Sequence, residues 1–370
     1  MVRLTQAAAC TTLRGFDVPA HHITPNTMNT IWQDYLIQHG AKIDSGVAQD
    51  FGDKSAELDA TSNDTVLCDL SQFGALRVSG EDALTYLQNL LSNDIREVSK
   101  TSAQYSSLNT AKGRVLATML IWREGDDYLL QLPRELIAAM HKKLSMYVLR
   151  AKVKISDASD EVVVLGLSGS KASEILQNHF GELPQQPLGT SGFEHASVLK
   201  LSEARFQIST SPQHAPKLWE ALNETARPVG SPCWDWLNIR AGIPTILLQT
   251  QEHFVAQMVN LDLIGGISFN KGCYPGQEIV ARTHYLGKLK RRMYLAHIDS
   301  NELPQPGDEL YSADMENKTS GVIANASTAP GGGFDVLAVI QIASHDAYPV
   351  HLGSLLDARL SFQPLPYPLP

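Results

Sequence analysis

The chain has 370 residues, 43% hydrophobic and 19% charged, which excludes a disordered protein and is too long for one ordinary core. Thirty basic against 39 acidic residues leave a net charge of −9, which argues against broad, direct nucleic-acid binding. No apolar run reaches membrane-helix length, the opening "MVRLTQAAACTTLRGF" is too weak for a signal peptide, and Cys10, Cys68, Cys233 and Cys273 form no framework, so a reduced cytoplasmic protein with no membrane partner is expected.

Residues 1–27 read as an N-terminal extension, in which the adjacent His21 and His22 would diverge on regular structure and suggest no metal site. "TIWQDYLIQHGA" places Ile31, Trp32, Tyr35 and Leu36 at helical spacing up to Gly40. "TVLCDLSQFGALRVSG" reads as two short strands broken over 71–74, and "GEDALTYLQNLLSND" as an amphipathic helix with a Leu84, Leu87, Leu91 stripe. "GRVLATMLIWREGDDYLLQLP" is a hairpin turning over 124–127, followed by a helix over 134–144 and a strand, "RAKVKIS". A similar order returns: "EVVVLGLSG" as a strand, a helix over 171–180, a hairpin of "VLKLS" and "ARFQIS", and the helix "QHAPKLWEALNETA". Two such units in succession suggest a duplicated α+β module. From Arg291 onward, short strands between Pro and Gly turns predict a small β-barrel, and the tail "PLPYPLP" cannot continue a sheet interior. The expected parts are therefore 28–157, 158–290 and 291–370.

Three segments carry possible chemistry. "VVVLGLSGSKASEIL" has the strand–turn–helix shape that cradles phosphate, but matches neither dinucleotide nor P-loop spacing and reads as an ordinary turn. "KLKRR" (288–292) reads as a solvated edge, or more sharply as an anchor for a polyanion. "LIGGISFNKGCYPGQEIVAR" reads as a Gly-containing strand "GGISF", a turn at Lys271 and Gly272, and a helix starting near Pro275. Cys273 then lies at a helix N-terminus with Lys271 nearby, which favours a thiolate; a small cysteine filling a tight corner fits the same residues. A lone cysteine cannot hold an iron–sulfur cluster, so any link to such clusters must be transient or through a partner.

The run K-G-C-Y-x-G-Q-E, here Lys271 to Glu278, resembles the signature of the YgfZ family, folate-binding proteins related to the T-protein (aminomethyltransferase) of the glycine cleavage system. "LCDLSQFGALRVSGEDALTYLQNLLSND", "NTAKGRVLATMLIW", "WLNIRAGIP" and "PLPYPLP" resemble family segments in family order, so the likeness runs from about Thr30 to the C-terminus. The resemblance implies an α+β, three-domain ring: two α+β units and a C-terminal small β-barrel around a central channel for tetrahydrofolate or a derivative. It implies Cys273 and Lys271 as the functional pair, and Trp234, Phe73, Asn260, Tyr274, Gln277 and Glu278 as cofactor-binding candidates. It also implies transient iron–sulfur client or assembly proteins as partners, with aminomethyl transfer or tRNA thiomodification as alternative functions. Three departures stand out. Phe73 replaces a family tryptophan, Ala117 stands where T-protein enzymes carry a catalytic Asp, and Arg240 stands where a Glu often binds the pterin.

Overall fold

A computed structural model describes residues 28–370 apart from residues 286 and 317; the expected extension 1–27, with Cys10, His21 and His22, lies outside the described residues. The first helix, Thr30–Gln38, starts where the Asn29 side chain accepts hydrogen bonds from the Ile31 and Trp32 N–H groups (3.1 and 3.3 Å). Trp32 and Leu36 lie on one face of it and are buried.

Two large sheets, with a small hairpin of Lys42–Asp44 and Val47–Asp50, form the first two-thirds of the described residues. One is five-stranded and antiparallel, in the order Gln104–Asn109, Val115–Glu124, Asp127–Pro133, Phe73–Ser79 and Lys154–Asp157. Helices Ala83–Gln88 and Ile137–Ser145 cover one face, enclosing Leu76, Leu87, Leu91, Ile121, Leu130 and Ile137. The other is six-stranded, in the order Thr190–Gly192, Ala196–Ser202, Arg205–Thr210, Val163–Ser168, Val66–Asp69 and Arg227–Val229, the last pair parallel. Residues of helices Thr30–Gln38, Ala172–Phe180 and Ala215–Asn223 share its core around Trp32, Leu165, Phe206 and Trp219. The remaining faces of the two sheets meet over Leu120, Trp122, Leu129 and Leu199, where Gln207 Nε2 donates to Gln131 Oε1 at 2.7 Å.

The two strands expected in "TVLCDLSQFGALRVSG" form, as Val66–Asp69 and Phe73–Ser79, but they belong to different sheets. The break between them is the crossing point, so helix Thr30–Gln38 and strand Val66–Asp69 pack with the six-stranded sheet and the elements expected in 28–157 divide between the two sheets. Three local readings are also corrected. Leu84 is 40% exposed and the helix ends at Gln88, before Leu91, so the expected stripe does not form on one helix face. "RAKVKIS" pairs only over Lys154–Asp157. "GGISF" is not a strand: the Gly265 and Gly266 carbonyls accept hydrogen bonds from the Asn93 and Ser92 side chains instead of a ladder.

The C-terminal part is a curled six-stranded antiparallel half-barrel, in the order Val350–Leu352, Glu309–Ser312, Gly321–Thr328, Phe334–Gln341, Arg291–Ile298 and Leu360–Gln363. A bridge between His351 and Arg359 brings its two edges together. The helix Ser231–Arg240 packs on it: Trp236 Nε1 donates to Asp335 Oδ2 (2.9 Å), and His297 Nδ1 lies 2.9 Å from Asp335 Oδ1. The Pro-rich tail is a clasp, in which the Tyr367 hydroxyl donates to Gly242 O at 2.7 Å. Among the described residues no helix is long and apolar enough to cross a membrane.

Candidate functional site

The helix Ser231–Arg240 begins at Gly230 with Pro232 in its first turn, a residue that suits a position where no N–H partner is needed. Its inner side faces a cavity of about 500 Å³ that all three parts of the chain wall: Phe73, Pro133 and Arg134 from the first sheet, Asp235 and Asn238 from the helix, Gln305 and Asn325 from the half-barrel. A narrow extension shares Phe73, Pro133, Asn238 and Thr245 and is lined further by Tyr105, Thr118, Gln207 and Trp234. The rings of Phe73 and Trp234 thus serve one continuous space.

Trp234 is only 2% exposed. The Arg205 guanidinium stacks 4.5 Å from its ring centroid, and a side chain at Gly166 would run into the ring, so strand Val163–Ser168 passes directly behind the indole. Arg205 donates to Leu237 O and Asn238 Oδ1 (3.1 and 2.8 Å), and burial pulls its guanidinium down to about 10. Arg134 brings a second, well-buried cation to the cavity; its Nε donates to Ser71 O at 2.7 Å. Asp235 brings a carboxyl that burial pushes up to about 6.

The departure at position 117 reads differently in place. Ala117 lies in the core under the first sheet, because neighbours on a strand face opposite sides; Thr118 faces the cavity. Its hydroxyl donates to Pro244 O (3.0 Å) and accepts from Ile246 N (3.1 Å). Strand Val115–Glu124 therefore presents a hydroxyl here, already committed to backbone, rather than an acid. Arg240 also points elsewhere: it pairs with Asp335 Oδ2 (3.5 Å) and Gln363 on the half-barrel and does not line the cavity.

The signature forms a separate place. Lys271 is 6% exposed, and its Nζ donates to Leu91 O and Asn93 O at 2.6 and 2.9 Å, with the Tyr274 ring centroid 5.1 Å away. Gly276 has φ +81°, and a Cβ there would lie 2.5 Å from Gly113 Cα, so only glycine lets this loop seat on the turn before Val115–Glu124. The helix starts at Gln277, two residues later than expected, since Gly276 still has a left-handed backbone. Between these two anchors Cys273 is exposed, while Cys68 and Cys233 are buried and burial raises both thiols, Cys233 to about 11. Lys271 is thus a strut across to the first unit rather than a free charge for the thiol. Two of its three N–H donors go to main-chain carbonyls, and Glu278 is exposed with no partner among the described residues.

Of the expected cofactor-binding residues, Phe73 and Trp234 line the cavity, whereas Tyr274, Gln277, Glu278 and Asn260 do not. Asn260 is fully buried at a left-handed turn, where its Nδ2 donates to Met293 O at 2.9 Å. "KLKRR" divides: Lys288 and Lys290 are exposed, but Arg292 is buried and bidentate to Asp262 (2.7 and 2.8 Å). Gln72, Arg134 and Asp235 are additions from the structure. An acid between two tryptophans reads in sequence as merely the polar side of a helix. Among the described residues no group of three or more His, Cys, Asp or Glu is placed to hold a metal.

The family model for the GCVT N-terminal domain matches residues 4–265, ending just before the signature. A tRNA-modifying protein YgfZ of Colwellia psychrerythraea is 31% identical over 311 residues, 83% of this chain and 94% of the relative. The chain belongs to the YgfZ family. A second YgfZ, from Shigella boydii, is 32% identical over 82% of this chain and 93% of its own. The fold of this YgfZ-family chain matches the glycine cleavage system aminomethyltransferase T of Bartonella henselae (TM-score 0.73, 16% identity, 92% of this chain and 97% of that one).

Burial lowers the Lys271 amine from 10.5 to about 8, which gives the strut a pH signature. Between these values the unfolded chain holds more protons than the folded one, so this residue's contribution to stability rises as pH climbs from about 8 to about 10.5. Urea unfolding from pH 7.5 to 10 should therefore show a steeper upward slope for wild type than for Lys271→Met. Equal slopes would mean that the amine is solvated.

Proposed function

We propose that this chain binds a reduced folate in the central cavity and acts as an accessory factor for iron–sulfur enzymes, with Cys273 as its functional thiol. The cavity wall carries the first half of this reading. Phe73 lines a space of about 500 Å³ that also holds a cation, Arg134, and an acid, Asp235, and a second ring, Trp234, lines its narrow extension. Planar heterocycles pack on such rings, and the volume is that of a small-molecule site. A folate joins a pterin to a carboxylate tail, so it offers a partner to each kind of group. When bound it would supply one-carbon chemistry. The chain's own residues would orient the ring and shield it from water.

The second half rests on the signature loop, whose anchors Lys271 and Gly276 hold Cys273 out in solvent. The relatives are named for tRNA modification. That role suits this reading if the enzymes served include modifiers of tRNA, since the acidic chain itself is poorly suited to wide phosphate contact. Aminomethyl transfer is less favoured, because Val115–Glu124 turns Thr118, Met119 and Leu120 to the cavity, and its one carboxylate, Glu124, sits at the far end paired with Arg77. The test has two arms. Titration with 5-formyltetrahydrofolate should quench tryptophan fluorescence in wild type and less in Trp234→Phe. A deletion strain should recover iron–sulfur enzyme activities and thiolated tRNA nucleosides with wild type but not with Cys273→Ala. Full recovery with the alanine variant would remove the thiol from the function.

A further inference from the structure

We propose that Asp235 is the residue that reads the ligand in the central cavity, its carboxylate accepting two side-by-side N–H groups from the edge of a planar heterocycle. This rests on the folate reading above and adds which edge of the ring is recognised, and by what.

The first observation is position. Asp235 follows Trp234 on the Ser231–Arg240 helix, so the two side chains diverge by about 100° around the axis. Trp234 faces the narrow extension and Asp235 the wide part, with Phe73 lining both. Asp235 also borders an adjoining cavity of about 820 Å³ between this helix and the half-barrel. It is thus the acid shared by these two spaces.

The second observation is an incomplete set of partners. An ionised carboxylate has about four acceptor positions. Asp235 uses one: Gln72 Nε2 donates to Oδ1 at 3.2 Å, and Oδ2 has no partner among the described residues. No cation pairs with the group among the described residues, in contrast to Asp262 with Arg292. Glu135, the other acid on the wall, already accepts from Leu248 N at 2.8 Å. Asp235 is half-buried, so its unused acceptor positions open to the cavity rather than into the core. Its upward shift to about 6 comes from burial, with one hydrogen bond to offset it.

The third observation is chemical fit. A 2-amino-4-oxopterin presents a ring N–H and an exocyclic amino group next to each other. A carboxylate accepts both at once, as it does from the parallel N–H groups of a guanidinium. Arg134 lines the same cavity and adds a cation for the acidic tail of such a molecule. Arg240 lies outside the cavity against Asp335, so its charge does not oppose this arrangement.

The experiment compares 5-formyltetrahydrofolate with its 2-desamino-2-methyl analogue, which lacks the amino donor, on wild type, Asp235→Asn and Asp235→Glu. Wild type should prefer the parent by about 10- to 100-fold, the range expected for losing a charged hydrogen bond. Asp235→Asn should lose about that much affinity for the parent but change by less than about threefold for the analogue. Should Asp235→Asn fail to fold, the wild-type comparison alone decides. Equal affinity of wild type for the two compounds overturns the role of Asp235 and leaves the folate reading standing. So does unchanged parent affinity in a folded Asp235→Asn. Failure of wild type to bind either compound overturns both.

Discussion

Trp234→Ala should lower the stability of the chain by about 3–5 kcal/mol, the range for emptying a buried aromatic site. The indole is 2% exposed, with the backbone of Gly166 on one side and the Arg205 guanidinium on another. Removing it leaves a void beside a buried cation whose Nε already has no partner. The remaining bonds of Arg205, to Leu237 and Asn238, both run to the helix that carries Trp234, so the damage should spread to the packing of that helix. Urea unfolding would measure this. A cost below about 1 kcal/mol would mean that neighbouring side chains collapse into the space. A loss of ligand affinity in the alanine variant therefore reports folding as much as binding, and Trp234→Phe is the sounder probe of the cavity.

Arg292→Ala should cost a similar amount, about 3–5 kcal/mol, because it strips one partner from a buried pair. Arg292 Nη1 donates to Gln257 O (2.8 Å) and Asp262 Oδ1 (2.7 Å), and Nη2 to Asp262 Oδ2 (2.8 Å). The Asp262 side chain is only 12% exposed, so in the variant a carboxylate stays in the interior without its cation. Gln257 also donates from Nε2 to Val280 O (2.6 Å), so the helix that follows the signature depends on the same bracket. The double variant Arg292→Ala, Asp262→Ala should be more stable than Arg292→Ala alone, since it removes the stranded charge. Simple additivity of the two single losses would show that the pair is effectively solvated.

Local elements were legible because period and punctuation are local signals. The Val115–Glu124 and Asp127–Pro133 hairpin, the Ala172–Phe180 and Ala215–Asn223 helices and the strands after Arg291 follow from apolar spacing and Gly or Pro breaks. The assignment of strands to sheets was not legible, because Val66–Asp69 finds its neighbours far along the chain. In the site, the likeness to relatives pointed to Phe73 and Trp234, which the structure brings to one cavity. It placed the missing acid one residue away from the position that faces that cavity, and on a strand one residue reverses the side. The task of Lys271 was hidden for another reason. Its acceptors are main-chain oxygens of Leu91 and Asn93, some 180 residues earlier, and carbonyls carry no mark of residue type.

The crossing at residues 70–72 bears on how the chain is made. Val66–Asp69 is an interior strand, held between Val163–Ser168 and Arg227–Val229. As the polypeptide leaves the ribosome, this strand must wait about 100 residues for one neighbour and about 160 for the other, while the intervening five-stranded sheet has all its members to hand. The first sheet can thus close early, as a plug between two halves of an unfinished one. The helix Thr30–Gln38 waits as well, its apolar face suited to a core that does not yet exist. During that interval the nascent chain carries an unpaired strand whose Val66, Leu67 and Cys68 are all bound for the interior, the kind of segment that chaperones recognise and that aggregates when they are scarce.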